Sequence, residues 1–137
     1  MGCDIHVQAF TKEDNKYLKL SEDFFDVRSY RLFGFLAGVR NYSAITPISK
    51  PKGLPDWYKE SDDDWEYHSH SWLTIDELES YDYNQIVEDR RIDNGQTCEP
   101  GHGEKMTLRE FLGEWYFKEL SRMKNSGVEI IVFWFDS

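Results

Sequence analysis

The sequence predicts an α+β domain: a small, mostly antiparallel sheet with a long C-terminal helix packed on it and a large ordered aromatic-rich loop. Three observations carry that prediction. Val128–Phe135 is apolar on both faces, as a central strand is. Ile5–Phe10 alternates, with Ile5, Val7 and Ala9 on one side and His6, Gln8 and Phe10 on the other, the period of a half-buried strand. Leu108, Phe111, Leu112, Trp115 and Leu120 form the apolar stripe of a helix. The 137 residues fit a single domain, 1–137, with one modest core.

The elements follow in chain order. After the Ile5–Phe10 strand, Lys12–Lys16 is a polar turn and Tyr17–Leu20 its returning strand. Arg31–Val39 reads as a short helix that buries Leu32, Phe33, Phe35, Leu36 and Val39. Gly34 and Gly38 weaken that helix and let another element approach its backbone. Asn41–Trp72 is a long irregular stretch with Pro47, Pro51, Pro55 and the run Asp62-Asp63-Asp64. Long loops in compact domains are functional or disordered, and Trp57, Tyr58, Trp65, Tyr67 and Trp72 argue for order. Thr74–Ser80 is a helix with a capping box, Thr74 to Glu77. Asp93–Gly103 is a polar, glycine-containing loop. Thr107 opens the longest helix with a second box to Glu110, and Gly127 marks its end region. The N-terminal strand is the natural neighbour of Val128–Phe135.

Composition narrows the partners. A net charge of −10 leaves no broad basic footprint, which argues against DNA, RNA polymer and anionic membrane as partners. Aromatic residues make up 16% of the chain and offset a modest aliphatic content. Asp4 and His6 interrupt the N-terminus where a secretory signal needs an apolar run. Ile130–Phe135 is too short to span a bilayer, and position 6 is His6, where N-myristoylation wants Ser or Thr. A cytoplasmic setting is expected, without a disulfide between Cys3 and Cys98.

The chemistry-bearing residues fall into three groups. Arg28, Arg31 and Arg40 crowd one region, followed by Asn41 and Tyr42. Their guanidinium forks suit phosphate. Trp57, Trp65, Tyr67 and Trp72 offer faces on which a base stacks. In the segment His68-Ser69-His70-Ser71-Trp72, Ser69 and Ser71 can donate to phosphate or ribose. Together Arg28, Arg31, Arg40, Asn41, Tyr42, Trp65, Tyr67, His68, Ser69, His70, Ser71 and Trp72 are the parts of a nucleotide pocket in an acidic protein. The bland alternative is that the arginines pair with Glu22, Asp23 or Asp26 and the tryptophans are core.

The second group is Cys3, Asp4, His6, His68 and His70. Residues two apart on a strand face one way, so His68 and His70 could converge with His6 or Cys3 on a zinc-type centre. No paired Cys-x-x-Cys and no His-Glu-x-x-His helix supports that reading. The third group, the acidic run Glu60–Glu66, lacks the glycine and terminal glutamate of a calcium loop and reads as a solvated face. No nucleophile elbow and no phosphate loop is present. No catalytic residue, cofactor or metal is therefore expected, and a binding protein is the leading reading.

Three stretches resemble a known group: Met1-Gly2-Cys3-Asp4-Ile5-His6, Arg31-Leu32-Phe33-Gly34-Phe35-Leu36-Ala37-Gly38-Val39-Arg40-Asn41, and His68-Ser69-His70-Ser71-Trp72-Leu73-Thr74. The pattern is similar to a widespread family of small phage-encoded proteins, which also carries a Gly-Leu-Pro turn where Gly53-Leu54-Pro55 stands here. The resemblance covers Met1 to about Leu78 and the closing strand, and assigns nothing to Tyr81–Gly103. It implies a phage immune-evasion protein resembling the anti-CBASS nucleotide sponges. These bind a cyclic di- or oligonucleotide signal in the host cytoplasm without cleaving it, as homo-oligomers. Two alternatives stay open. One is a metal-dependent phosphodiesterase or nuclease using Asp4, His6, His68 and His70. The other is a protein-binding inhibitor of a host factor that uses the acidic face.

Overall fold

A computed structural model of the chain describes residues 2–58, 67–92 and 96–136. The elements are β1 (Asp4–Glu13), β2 (Lys16–Lys19), α1 (Tyr30–Ala37), β3 (Tyr67–Thr74), α2 (Ile75–Ser80), β4 (Ile86–Asp89), β5 (Glu104–Thr107), α3 (Leu108–Asn125) and β6 (Ile130–Asp136). The mixed class, the antiparallel sheet and the long C-terminal helix are as predicted. The chain forms two compact units. One holds Met1–Arg28, Pro51–Ser80 and Phe117–Ser137, the other Ser29–Lys50 and Tyr81–Tyr116.

The first unit is built on a four-stranded sheet in the order β2-β1-β6-β3, every pair antiparallel. β6 is central because its sequence is: Ile131, Val132, Phe133 and Phe135 are all fully or almost fully buried, so both faces of the strand need cover. Cross-strand partners point to the same side, and the register therefore sorts the side chains. Ile5, Val7 and Ala9 share one face with Phe135, Phe133 and Ile131. Asp4, His6, Gln8 and Phe10 share the other with Asp136, Trp134, Val132 and Ile130. On this second face Phe10, Ile130 and Val132 form a buried cluster against which Leu54, Trp57 and Tyr58 pack. The Trp57 ring stacks on Tyr17 with centroids 4.2 Å apart, and the Tyr58 hydroxyl donates to Gln8 Oε1 at 2.8 Å. The start of the aromatic segment is thus ordered by packing on β1 and β2. Asp62-Asp63-Asp64 and Trp65 lie outside the described residues.

The second unit contains α1, the β4–β5 hairpin and the first part of α3. Ser29 caps α1, its hydroxyl accepting from Leu32 N, and Gly38 ends it in the left-handed conformation (φ 72) that glycine adopts without a Cβ penalty. The helix starts one residue earlier and ends two residues earlier than predicted, so Val39 lies beyond it and is only half-buried, and it buries Leu32, Phe33, Gly34, Phe35, Leu36 and Ala37. Phe35, Tyr81, Tyr83 and Tyr116 form an aromatic nest closed by a 2.6 Å hydrogen bond between the Tyr83 and Tyr116 hydroxyls. Burial, partly offset by that bond, pushes the Tyr83 phenol up to about 12. β4 and β5 pair Ile86–Asp89 with Thr107–Glu104. The sequence reading left these strands unassigned, because four-residue strands in which half of the residues are charged carry little periodic signal.

Both capping boxes form. Glu77 N donates to Thr74 Oγ1 and Thr74 N to Glu77 Oε1, each at 3.1 Å. Thr107 and Glu110 repeat the exchange at 3.1 and 3.2 Å. The stripe predicted for α3 needs correction. Gly113 has φ 83 and ψ 168, a break that no side-chain-bearing residue adopts readily. The break shifts the helical phase, so Trp115 is 38% exposed while Tyr116, Leu120 and Met123 are buried. No disulfide links Cys3 and Cys98, and no described helix is long and apolar enough to cross a membrane.

Candidate ligand-binding site

The segment His68–Trp72 is part of β3 rather than of a loop. β3 contains a bulge. His68 pairs with Phe135 and Ser71 with Phe133, so Ser69 and His70 together stand opposite Trp134. Ser69 takes the left-handed backbone (φ 56) that such a bulge requires. The extra residue reverses the alternation. His68 stacks on Phe135 (6.2 Å), whereas His70 stacks on Trp134 (5.9 Å), on the opposite face of the sheet. The expectation that His68 and His70 converge because they are two apart is therefore overturned. Among the described residues no group of three or more His, Cys, Asp or Glu is arranged to hold a metal ion.

The bulge builds a row of rings across three strands. His6 on β1, Trp134 on β6 and His70 on β3 lie side by side. The indole is within 15° of parallel to His6 at 6.0 Å and within 24° of parallel to His70 at 5.9 Å. Tyr67 tilts against both His6 (5.2 Å) and Trp134 (6.3 Å). His6 Nε2 is 2.7 Å from Asp136 Oδ2, and Asp136 Oδ1 accepts from Asp4 N at 3.2 Å. Arg28 donates through Nε and Nη2 to both oxygens of Asp4, at 2.9 and 2.8 Å. The Arg28 hydrogen bond holds the Asp4 pKa below its ordinary 3.8. At the centre of the row, Trp134 Nε1 is buried and has no hydrogen-bond partner among the described residues. A buried donor left unmade costs about 1–3 kcal/mol, so an acceptor brought to that nitrogen gains what the free protein forgoes.

The other predicted site residues are placed as follows. Ser71 is buried and its Oγ accepts from Lys52 N at 3.0 Å. Trp72 carries the Lys52 ammonium over its ring at 3.8 Å, while that ammonium bonds both oxygens of Glu77 at 2.9 Å. Ser69 Oγ is 2.9 Å from His68 Nδ1. Arg28 and Tyr67–Trp72 belong to the first unit, whereas Arg31, Arg40, Asn41 and Tyr42 belong to the second. There Arg31 pairs with Asp89 at 2.9 Å and lies over Phe111, and Arg40 lies over Tyr30 and donates to the Tyr42 hydroxyl at 3.3 Å. Asn41 clamps a turn, donating to Ile45 O at 2.7 Å and accepting from Ile45 N at 3.1 Å. Arg28 pairs with Asp4 and Arg31 with Asp89, acids that lie outside the local stretch Glu22–Asp26.

Sequence reasoning missed Trp134 and Asp136 altogether. The available signal was parity: on β6 the apolar series Ile130, Val132 ends in Trp134 and Asp136, and His6 has the matching parity on β1. No family model, curated protein or solved structure matches this chain.

The bulge is testable. A β-branched residue resists left-handed backbone, so Ser69→Val is expected to cost about 1–3 kcal/mol. It should also disturb the His70–Trp134 stack, read as altered Trp fluorescence. An unchanged urea midpoint and emission spectrum would show that the bulge is not maintained by Ser69.

Proposed function

We propose that the protein is a non-catalytic binder of a small nucleotide, of the cyclic di- or oligonucleotide class that the sequence resemblance implies. It holds the signal intact, in the host cytoplasm and as a homo-oligomer, in the service of phage immune evasion. The observation that carries this reading is the Trp134 indole, set between two imidazoles, whose buried N–H has no partner among the described residues. A nucleobase is planar, stacks on such rings for about 1–3 kcal/mol per base, and brings acceptor atoms for the indole N–H. A phosphate at this end of the sheet meets Arg28, in exchange for Asp4. The net charge of −10 favours a small ligand over a polymer.

The test is binding of cyclic dinucleotides followed by Trp fluorescence, with the nucleotide recovered after denaturation. Intact nucleotide is expected. Trp134→Phe keeps a ring and removes the N–H. It should weaken binding about tenfold, the worth of roughly one hydrogen bond, and leave the melting temperature of the free protein within a few degrees. Undiminished affinity in that variant, or recovery of hydrolysed nucleotide, would refute the reading.

A further inference from the structure

β2 pairs with β1 only over Phe10–Glu13, whereas β6 pairs with β1 from Asp4 to Phe10. The Asp4–Gln8 part of β1 therefore has no described strand on its outer side. The hydrogen bonds of Ala9 and Phe10 set which main-chain groups face that side. Ala9 O accepts from Leu20 N on the outer side and Phe10 O from Glu129 N on the inner side, both at 2.8 Å. Successive residues of a strand turn their N–H and C=O to opposite edges. Ile5 and Val7 have the parity of Ala9, so two donors and two acceptors face outward. No described residue stands in ladder register with them there.

Beyond Leu20 the chain does not continue the ladder. Residues 21–26 stand off from β1 and leave a cleft of about 590 Å³ whose floor is Ile5–Gln8 and whose far wall is Lys19–Asp26. Such volumes suit a ligand or peptide side chains. The wall is acidic. Glu22 bonds Arg122 at 2.8 Å and Ser126 at 3.1 Å. The exposed carboxylates of Asp23 and Asp26 form no ion pair among the described residues.

We propose that this open edge of β1 is a docking groove in which an extended, basic segment of a partner protein adds as a fifth strand. Main-chain bonds to Ile5 and Val7 would supply affinity, as in other cases of strand addition. The carboxylates of Asp23 and Asp26 select lysine or arginine over acidic side chains. A second copy of this chain fits the groove poorly, because antiparallel pairing of two β1 edges would bring the two acidic walls together in a protein of net charge −10. His6 and Trp134 also line the cleft, yet the edge bonds do not depend on the ring row, so this inference stands or falls separately from nucleotide binding.

The probe is a labelled eight-residue peptide alternating lysine and valine, with a glutamate–valine peptide as control, followed by fluorescence polarisation and by amide exchange of the protein. The lysine peptide is expected to bind and to slow exchange at Ile5 and Val7, and the glutamate peptide not to bind. Val7→Pro removes an outward N–H, which edge strands tolerate, and should abolish the protection. The double change Asp23→Asn and Asp26→Asn should weaken binding at least tenfold while leaving the fold and the edge intact. Absence of lysine-peptide binding would overturn the proposal. Binding without protection at Ile5 and Val7, or a dimer of the free protein that already protects them, would overturn it equally.

Discussion

Replacing Phe133 by alanine is expected to destabilise the protein by about 4 kcal/mol, within the usual range for buried Phe→Ala changes. Phe133 is fully buried on the central strand, and its ring meets Phe135 edge-on at 6.1 Å. No neighbour can collapse into the space without breaking the ladder that β6 forms with both β1 and β3. Domains of this size have about 5–15 kcal/mol of net stability, so one change removes a large share of it. The contrast with Trp134→Phe is informative, because the two residues are adjacent on one strand and point to opposite faces. Urea unfolding of both variants measures the difference. A loss below about 1 kcal/mol for Phe133→Ala would mean that this face is not the close-packed one.

The second large effect is expected at Glu119. Its side chain is almost wholly buried, and Oε1 accepts from Phe25 N at 2.9 Å. Phe25 has φ 55, a left-handed conformation that needs such support. Arg122 holds the same carboxylate through Nε at 2.8 Å and Nη2 at 3.0 Å, and its remaining bonds reach Glu22 and the Asp23 carbonyl. Glu119→Ala leaves a buried N–H and a guanidinium partly unpaired. Arg122 is itself 44% exposed, so water recovers part of the loss, and about 2–3 kcal/mol is expected. Glu119→Gln keeps the acceptor for Phe25 and loses the charge, and should cost about half as much.

The same contacts set a pH dependence. Burial alone raises the Glu119 pKa, but the Arg122 and Phe25 hydrogen bonds and the Arg122 charge more than reverse it, so the group ionises below its ordinary 4.5. Glu77 behaves alike, burial being outweighed by Lys52 and Thr74. A carboxylate whose pKa is lowered by folding contributes stability that is complete above its unfolded value. That stability disappears as pH falls through the folded value. The urea midpoint should therefore fall as pH drops below about 4.5, less steeply in Glu119→Gln than in the parent. Equal slopes would remove Glu119 from the account.

The sequence by itself determined the α+β class, the central place of Val128–Phe135 and both capping boxes. All of these rest on periodicity or on contacts within four residues, which one chain segment displays on its own. The candidate face was legible only in part: His70 and Tyr67 stood out, Trp134 and Asp136 did not. Two local departures from ideal geometry decided the rest. The bulge at Ser69 turned His70 onto the face of His6 and Trp134 and left His68 on the other. The break at Gly113 rotated Trp115 outward. Each adds or removes a fraction of a period, and a pattern read from residue spacing has no term for that. The partners of Arg28 and Arg31, acids 24 and 58 residues away, and the open edge of β1 arise from pairing between distant segments, which tertiary structure alone decides.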